Sequence, residues 1–212
     1  GKAMVTVITA QGEQTIEADK ILVAVGRIPN TKNLGLEKIG VKTDERGFVV
    51  VDERRQTNVK NIFAIGDCAG GLLLAHKASK EGLVASAVIA GKNEIYDVRA
   101  MPAVIFTAPE IAYVGLNEAQ AKEAGYEIKI GKFPFAASGK ALATGHTDGF
   151  VKVIADAGSD QVLGIFIVGA QASNLIGEAC LAIEMGATTQ DIARTIHPHP
   201  TLTESLMEGA EA

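Results

Sequence analysis

Residues 57–82 read TNVKNIFAIGDCAGGLLLAHKASKEG: a short apolar run, a glycine-rich break and a helical pattern in immediate succession. The run 62–65 (IFAI) has the look of a short buried strand, and Gly66-Asp67 stops it. Small residues follow from Cys68 to Gly71. From Leu74 to about Ala90 the apolar residues recur every three or four positions, so a helix is expected there, closed by Gly91. A carboxylate at the carboxyl end of a strand is where α/β sheets hold ligand hydroxyls, because it accepts two hydrogen bonds from a sugar-like diol. The loop glycines let backbone approach a flat ligand closely. The helix mouth at Leu74, Ala75 and His76 presents its first backbone N–H groups to a negative centre. Taken alone, the same Gly66-Asp67 also reads as an ordinary turn, and His76 as a helix-surface or half-buried histidine.

Strand-like and turn-like segments continue outward on both sides. Upstream, residues 4–9 alternate, Gln11-Gly12-Glu13 turns the chain, and 15–17 return as a second strand. The run 21–25 (ILVAV), ended by Gly26, is expected as another buried strand, and a loop through Pro29-Asn30 leads to a further one over 47–51. Downstream, Pro102 marks a change of character. Short strands are expected at 104–106 and 111–114, then a helix capped by Asn117 and stopped at Gly125. Strands follow at 128–133, 150–155 and 162–168, with a hairpin turn over 156–160. Ser173 should cap a helix ending at Met185, and Thr189 a shorter one ending at Thr195; a last helix starts after Pro200. From about residue 102 this is an α+β module, and what precedes it reads as pieces of α/β domains.

Composition narrows the classes. The 212 residues allow one large domain or two ordinary ones, and 47% hydrophobic with 21% charged side chains is enough apolar surface for a core. A net charge of −5 without a basic cluster argues against nucleic acid as a partner. The longest apolar stretches, such as 83–90 and 162–170, are too short to span a bilayer, so no membrane role is expected. Cys68 and Cys180 lie far apart, which argues against a zinc site or a local redox pair and suits reduced packing thiols in an intracellular protein. His146, in the 145–149 turn, reads as a loop residue.

Near the end stands TIHPHPTLTES, residues 195–205. Two prolines fix the backbone beside two histidines, so each ring is held near a predetermined place. Thr201 with Glu204 three residues on has the form of a capping box. The local pattern leaves two readings: a stiff loop before a well-capped helix, or a general base, His199, with Glu204 as its orienting acid.

In order, AVGRIPNTKNLGLEKIGV, GFVVVDERRQTNVKNIFAIGDCAG, LAHKASKEG, IFTAPEIAYVGL, FPFAASGKALA and GEACLAIEMGATTQDIARTIHPHPTLTES resemble the lipoamide dehydrogenase family along essentially the entire chain. That family belongs to the FAD-dependent pyridine nucleotide–disulfide oxidoreductases. The resemblance implies α/β plus α+β architecture: residues 1–28 as the tail of an NAD-binding domain, 29–100 as the carboxyl-terminal part of an FAD-binding domain, and 101–212 as a dimer-interface domain. It implies that Asp67 binds the ribityl chain of FAD, with Leu74, Ala75 and His76 lying at the flavin. Ala24, Val25, Gly26 and Arg27 match the stretch lining the NAD site. His199 and Glu204 match a catalytic base and its partner, acting on the disulfide of the opposite subunit.

Two family features are absent from the sequence: no G-x-G-x-x-G occurs, and no redox-active cysteine pair. The resemblance therefore implies the carboxyl half of an enzyme that oxidises dihydrolipoamide with NAD. The expected partners are a second copy, the missing amino-terminal half, and the dihydrolipoyl acyltransferase of a 2-oxo acid dehydrogenase complex. The expected location is the cytoplasm of a bacterium, or the mitochondrial matrix in a eukaryote. Two alternatives stay open: a catalytically silent fragment serving as a dimerisation module, and a related disulfide reductase.

Overall fold

The alternation near the start folds as an antiparallel hairpin, β1 (Ala3–Thr9) with β2 (Gly12–Ala18), in the computed structural model, which describes all of residues 1–212. The hairpin belongs to the first of two units, Gly1–Ala78 and Ser79–Ala212. Three strands expected in the first unit do not form. Residues 21–25 have no strand partner and lie exposed, with Leu22 at 91%. Residues 47–51 and 62–65 contribute only the isolated bridges Thr43↔Val49 and Gln56↔Phe63. The physical reason is common to all three. An apolar run is stable as a buried strand only when neighbours pair both its edges and cover both its faces; here the first run has no pairing partner and the other two have a single bridge each. Instead the backbone turns in 3-10 geometry at Leu36–Ile39 and Gly66–Ala69, around the buried side chains of Val41, Phe48 and Val49. Helix α1 (Ala75–Ile89) follows where the apolar period places it.

The second unit is built on a five-stranded antiparallel sheet of order β3-β4-β7-β6-β5: β3 (Ala103–Ile105), β4 (Glu110–Gly115), β5 (Ile128–Pro134), β6 (Phe150–Asp156) and β7 (Val162–Gly169). The central β7 is buried on both faces. Its Ile165 and Ile167 pack with Val114, Val151 and Val153 in the main core, while Leu163 joins Ala121 and Ile154 on the other side. Each such side chain contributes roughly 1.5–3 kcal/mol by leaving water. In β6 the alternation is plain: Val151 and Val153 are buried, and Lys152 between them turns outward to Glu118 at 2.7 Å.

Helix α2 (Glu118–Glu123) starts at Asn117, the expected cap, which also completes a capping box with Gln120. A 3-10 turn at Phe135–Ala137 and helix α3 (Gly139–Thr144) occupy a stretch for which no helix was expected. Helix α4 (Ala172–Met185) lays Leu175, Ile176, Ala179 and Ile183 on β4 and β7 and stops at Gly186. Its N-cap is Gln171 with φ 62°, not Ser173, whose N–H goes instead to Glu110 Oε2 at 2.9 Å. Helix α5 (Thr189–Arg194) is capped by Thr188, one residue before the expected Thr189, because Asp191 lies three residues after it and completes the box. Helix α6 (Glu204–Glu211) packs on α5, β5 and β6. It comes so close that a Cβ on Gly131 of β5 would stand 2.1 Å from the Gly209 carbonyl oxygen.

Candidate functional site

Helices α5 and α6 are joined by residues 195–203, with a cis peptide bond between His199 and Pro200. Thr201 is not the cap of α6: the N-cap is Thr203, without a side-chain cap hydrogen bond, and the Thr201 hydroxyl donates to the Pro198 carbonyl at 2.7 Å. The reciprocal half of the expected motif is present: the Thr201 N–H donates to Glu204 Oε2 at 2.8 Å. The other oxygen of the same carboxylate, Oε1, lies 2.8 Å from His199 Nδ1. The Thr201 N–H holds the Glu204 carboxyl below the usual carboxylate range, and the His199 hydrogen bond adds to that. An ionised carboxylate only accepts, so Nδ1 carries a hydrogen, and in the neutral ring Nε2 is the nitrogen with the lone pair. The ring is 77% exposed, which leaves that basic nitrogen open to a reactant. Chemically this is a base with a fixed tautomer and an orienting anion.

The second histidine does something else. His197 is a loop residue by local pattern, yet its side chain is only 5% exposed. Nδ1 lies 2.8 Å from the Thr195 carbonyl oxygen, and Nε2 lies 2.8 Å from Glu178 Oε1 on α4. The sequence reading missed this pair. Glu178 is nineteen residues away, and no local spacing links the two.

The other candidate residues lie in the first unit. Asp67 sits in the 3-10 turn Gly66–Ala69, and its Oδ2 accepts from Arg27 Nη1 at 3.2 Å. The sequence thus placed in two different sites a pair that the structure brings together. Both side chains are largely exposed, so the pair is screened by water and can exchange for other partners. Gly66 has φ 71°, and the adjoining mouth of α1 holds Leu74, Ala75 and His76, with Ala75 and His76 exposed. Beneath them Lys77 is buried and donates to the Gly66 carbonyl at 3.4 Å, tying the turn to the helix; sequence reading gave this lysine no role. An accessible carboxylate beside a small-residue helix start fits the polyol and one side of a flat ring in a ligand such as FAD. Ala24, Val25, Gly26 and Arg27 lie in an exposed segment without strand structure, which by itself forms no cradle for a dinucleotide.

Neither cysteine belongs to these clusters. Burial pushes the Cys180 thiol up, and the Cys68 Sγ rests 3.2 Å from the Ile65 carbonyl oxygen. His146 lines an open cleft of about 460 Å³ with Thr107, Glu110, Asp148 and Gln171. No helix is long and apolar enough to cross a membrane.

Two family models match. Residues 1–82 match the pyridine nucleotide-disulphide oxidoreductase model, and residues 101–210 match the dimerisation domain of the same family. A dihydrolipoyl dehydrogenase of Thermus scotoductus is 58% identical over 205 residues, covering 96% of this chain and 44% of that protein. One of Haloferax volcanii is 53% identical over 210 residues, covering 98% and 44%. The chain spans less than half the length of these relatives. Among known structures, LpdA of Mycobacterium tuberculosis superposes with a TM-score of 0.88 at 30% identity, covering 97% of this chain and 45% of that one. The HOCl-induced flavoprotein disulfide reductase RclA of Escherichia coli gives 0.89 at 29% identity, covering 98% and 48%.

Proposed function

The chain belongs to the pyridine nucleotide-disulphide oxidoreductase family, and on that premise we propose that it is the carboxyl half of a dihydrolipoyl dehydrogenase. The observation that carries the reading is the 2.8 Å contact between His199 Nδ1 and Glu204, with the other ring nitrogen open to solvent. Thiol–disulfide exchange needs a thiolate attacking a sulfur, so one proton must leave the dithiol and a proton must later reach the leaving sulfur. His199 Nε2 takes and returns that proton. Glu204 fixes the tautomer and stabilises the imidazolium while it lasts. An imidazole suits the task because its ordinary pKa of about 6.5 lies near working pH.

In this reading residues 1–28, 29–100 and 101–212 are the tail of the NAD domain, the closing part of the FAD domain and the dimer interface. Asp67, Leu74, Ala75 and His76 hold one side of FAD, which when bound supplies the two-electron acceptor between dithiol and NAD. Asp67 would exchange its exposed Arg27 contact for the ribityl hydroxyls. Ala24, Val25, Gly26 and Arg27 line the NAD side once the remaining strands pair with them. The acceptor disulfide comes from the opposite subunit of a homodimer, and a dihydrolipoyl acyltransferase presents the substrate.

The likeness to RclA favours a second reading, a related disulfide reductase with another thiol substrate. Turnover separates the two. The complete protein carrying this chain should reduce NAD with dihydrolipoamide. Turnover of glutathione disulfide or another small disulfide with NADPH, and none of dihydrolipoamide, would select the second reading.

A further inference from the structure

The segment that carries His199 is held almost entirely by side chains. Residues 196–203 donate no backbone–backbone hydrogen bond, and Pro198 and Pro200 have no N–H to give. Ile196 is exposed at 94% and contributes no anchor. The Leu202 and Thr203 carbonyls accept from the Ser205 and Leu206 N–H groups of α6, the Thr201 hydroxyl ties the Pro198 carbonyl within the loop, and three side-chain attachments to the rest of the fold remain. Leu202 enters the main core, the Glu204 carboxylate gathers the Thr201 N–H, and His197 plugs into α4. Only the last lies on the amino-terminal side of His199. Without it the residues before His199 would be held only by the Pro198 carbonyl, through Thr201, and by the chain at Thr195.

We propose that His197 is a positioning residue for His199, its buried ring bridging the Thr195 carbonyl and Glu178 so that His199 meets Glu204 in a single orientation. Both ring nitrogens of His197 are engaged at 2.8 Å. Such a two-point attachment fixes the ring plane as well as its place, which one hydrogen bond does not. Glu178 sits on α4, whose apolar face is packed on β4 and β7, so the anchor is part of a rigid element. The Glu204 carboxyl is held low first by the Thr201 N–H and then by His199, with His197 as the smallest contribution. The two histidines divide the work. One ring faces inward and sets the frame, and the other faces outward and meets the reactant.

The proposal rests on the reading of His199 as the base, but its test does not depend on turnover. In the 212-residue chain labelled with ¹⁵N-histidine, long-range ¹H–¹⁵N spectra at mildly alkaline pH report the tautomer of the neutral His199 ring. His199 should show the Nδ1–H form alone. His197→Leu and Glu178→Ala should each lose that single-tautomer pattern and give a mixture, while Glu178→Gln, which keeps a hydrogen-bonding group, retains it. Glu178 is one-third exposed, so its truncation tests the proposal even if His197→Leu does not fold. In the complete enzyme Glu178→Ala should lower kcat for dihydrolipoamide by up to about 10²-fold, the cost of an ångström-scale misplacement, and leave NADH-to-dye transfer unchanged. A lost tautomer pattern with full dihydrolipoamide turnover would count against His199 as the base, not against its positioning by His197. A His199 that keeps its single Nδ1–H tautomer in folded Glu178→Ala overturns the proposal.

Discussion

Glu204 holds His199 and Thr201 at once: Oε1 is 2.8 Å from the imidazole Nδ1, and Oε2 is 2.8 Å from the backbone nitrogen two residues further on. The carboxylate therefore sets both the tautomer of the ring and the shape of the turn that carries it. Glu204→Gln keeps an acceptor but removes the charge. A charge-assisted hydrogen bond contributes about 1.5–3 kcal/mol, so dihydrolipoamide oxidation by the complete enzyme should fall about 10–10²-fold. Dye reduction by NADH should stay unchanged, and comparing the two steady-state rates checks this.

Acid should weaken the second unit. The carboxyls of Glu204, Asp191 and Asp160 are all held below their ordinary values, first by the Thr201 N–H, the Thr188 N–H and Lys129 respectively. A depressed folded pKa means the unfolded chain binds protons more readily. The stabilisation is complete above the ordinary values of 4.5 and 3.8 and is lost as pH falls through the lower folded ones. Urea midpoints should be level from neutrality to about pH 5 and then drop. Asp191→Asn should flatten the drop, and a level curve down to about pH 3 in the parent chain would contradict it.

Ser205 is fully buried, and its hydroxyl oxygen has no hydrogen-bond partner. Removing an unpaired buried hydroxyl relieves a desolvation cost of about 1–3 kcal/mol, part of which returns as the lost packing of one atom. Ser205→Ala should therefore raise stability by about 1 kcal/mol. Urea unfolding with an unchanged m-value measures it, and a loss of stability would show that the hydroxyl is satisfied.

The secondary structure of the second unit was legible in sequence because its signals are local: alternation in β6, the cap at Asn117, the stop at Gly186. The runs 21–25, 47–51 and 62–65 failed for the opposite reason. Their composition reports what a strand would bury, while pairing depends on neighbours that composition does not describe. Helix α3 was missed because six residues give hardly two turns of period. The His199–Glu204 pair was readable from a spacing of five. Glu178 under His197 and Lys77 under Gly66 were not, since each is brought to its partner by tertiary packing alone.

Close approach of α6 to the sheet also makes a prediction. A Cβ at Gly131 would stand 2.1 Å from the Gly209 carbonyl oxygen, so Gly131→Ala must push α6 away from β5. The cost should be about 1–3 kcal/mol, the usual range for overpacking. Because α6 begins at Glu204, the same substitution should broaden the His199 ring signals. Thermal melts and histidine spectra of the variant test both parts.

The most direct measurement follows the two half-reactions separately. In the complete enzyme under anaerobic stopped flow, flavin reduction by dihydrolipoamide and by NADH is recorded for the parent and for His199→Gln. The dithiol half-reaction should fall about 10²–10⁴-fold, the usual contribution of a general base, with the NADH half-reaction unchanged. Unchanged flavin reduction by dihydrolipoamide in His199→Gln would contradict it.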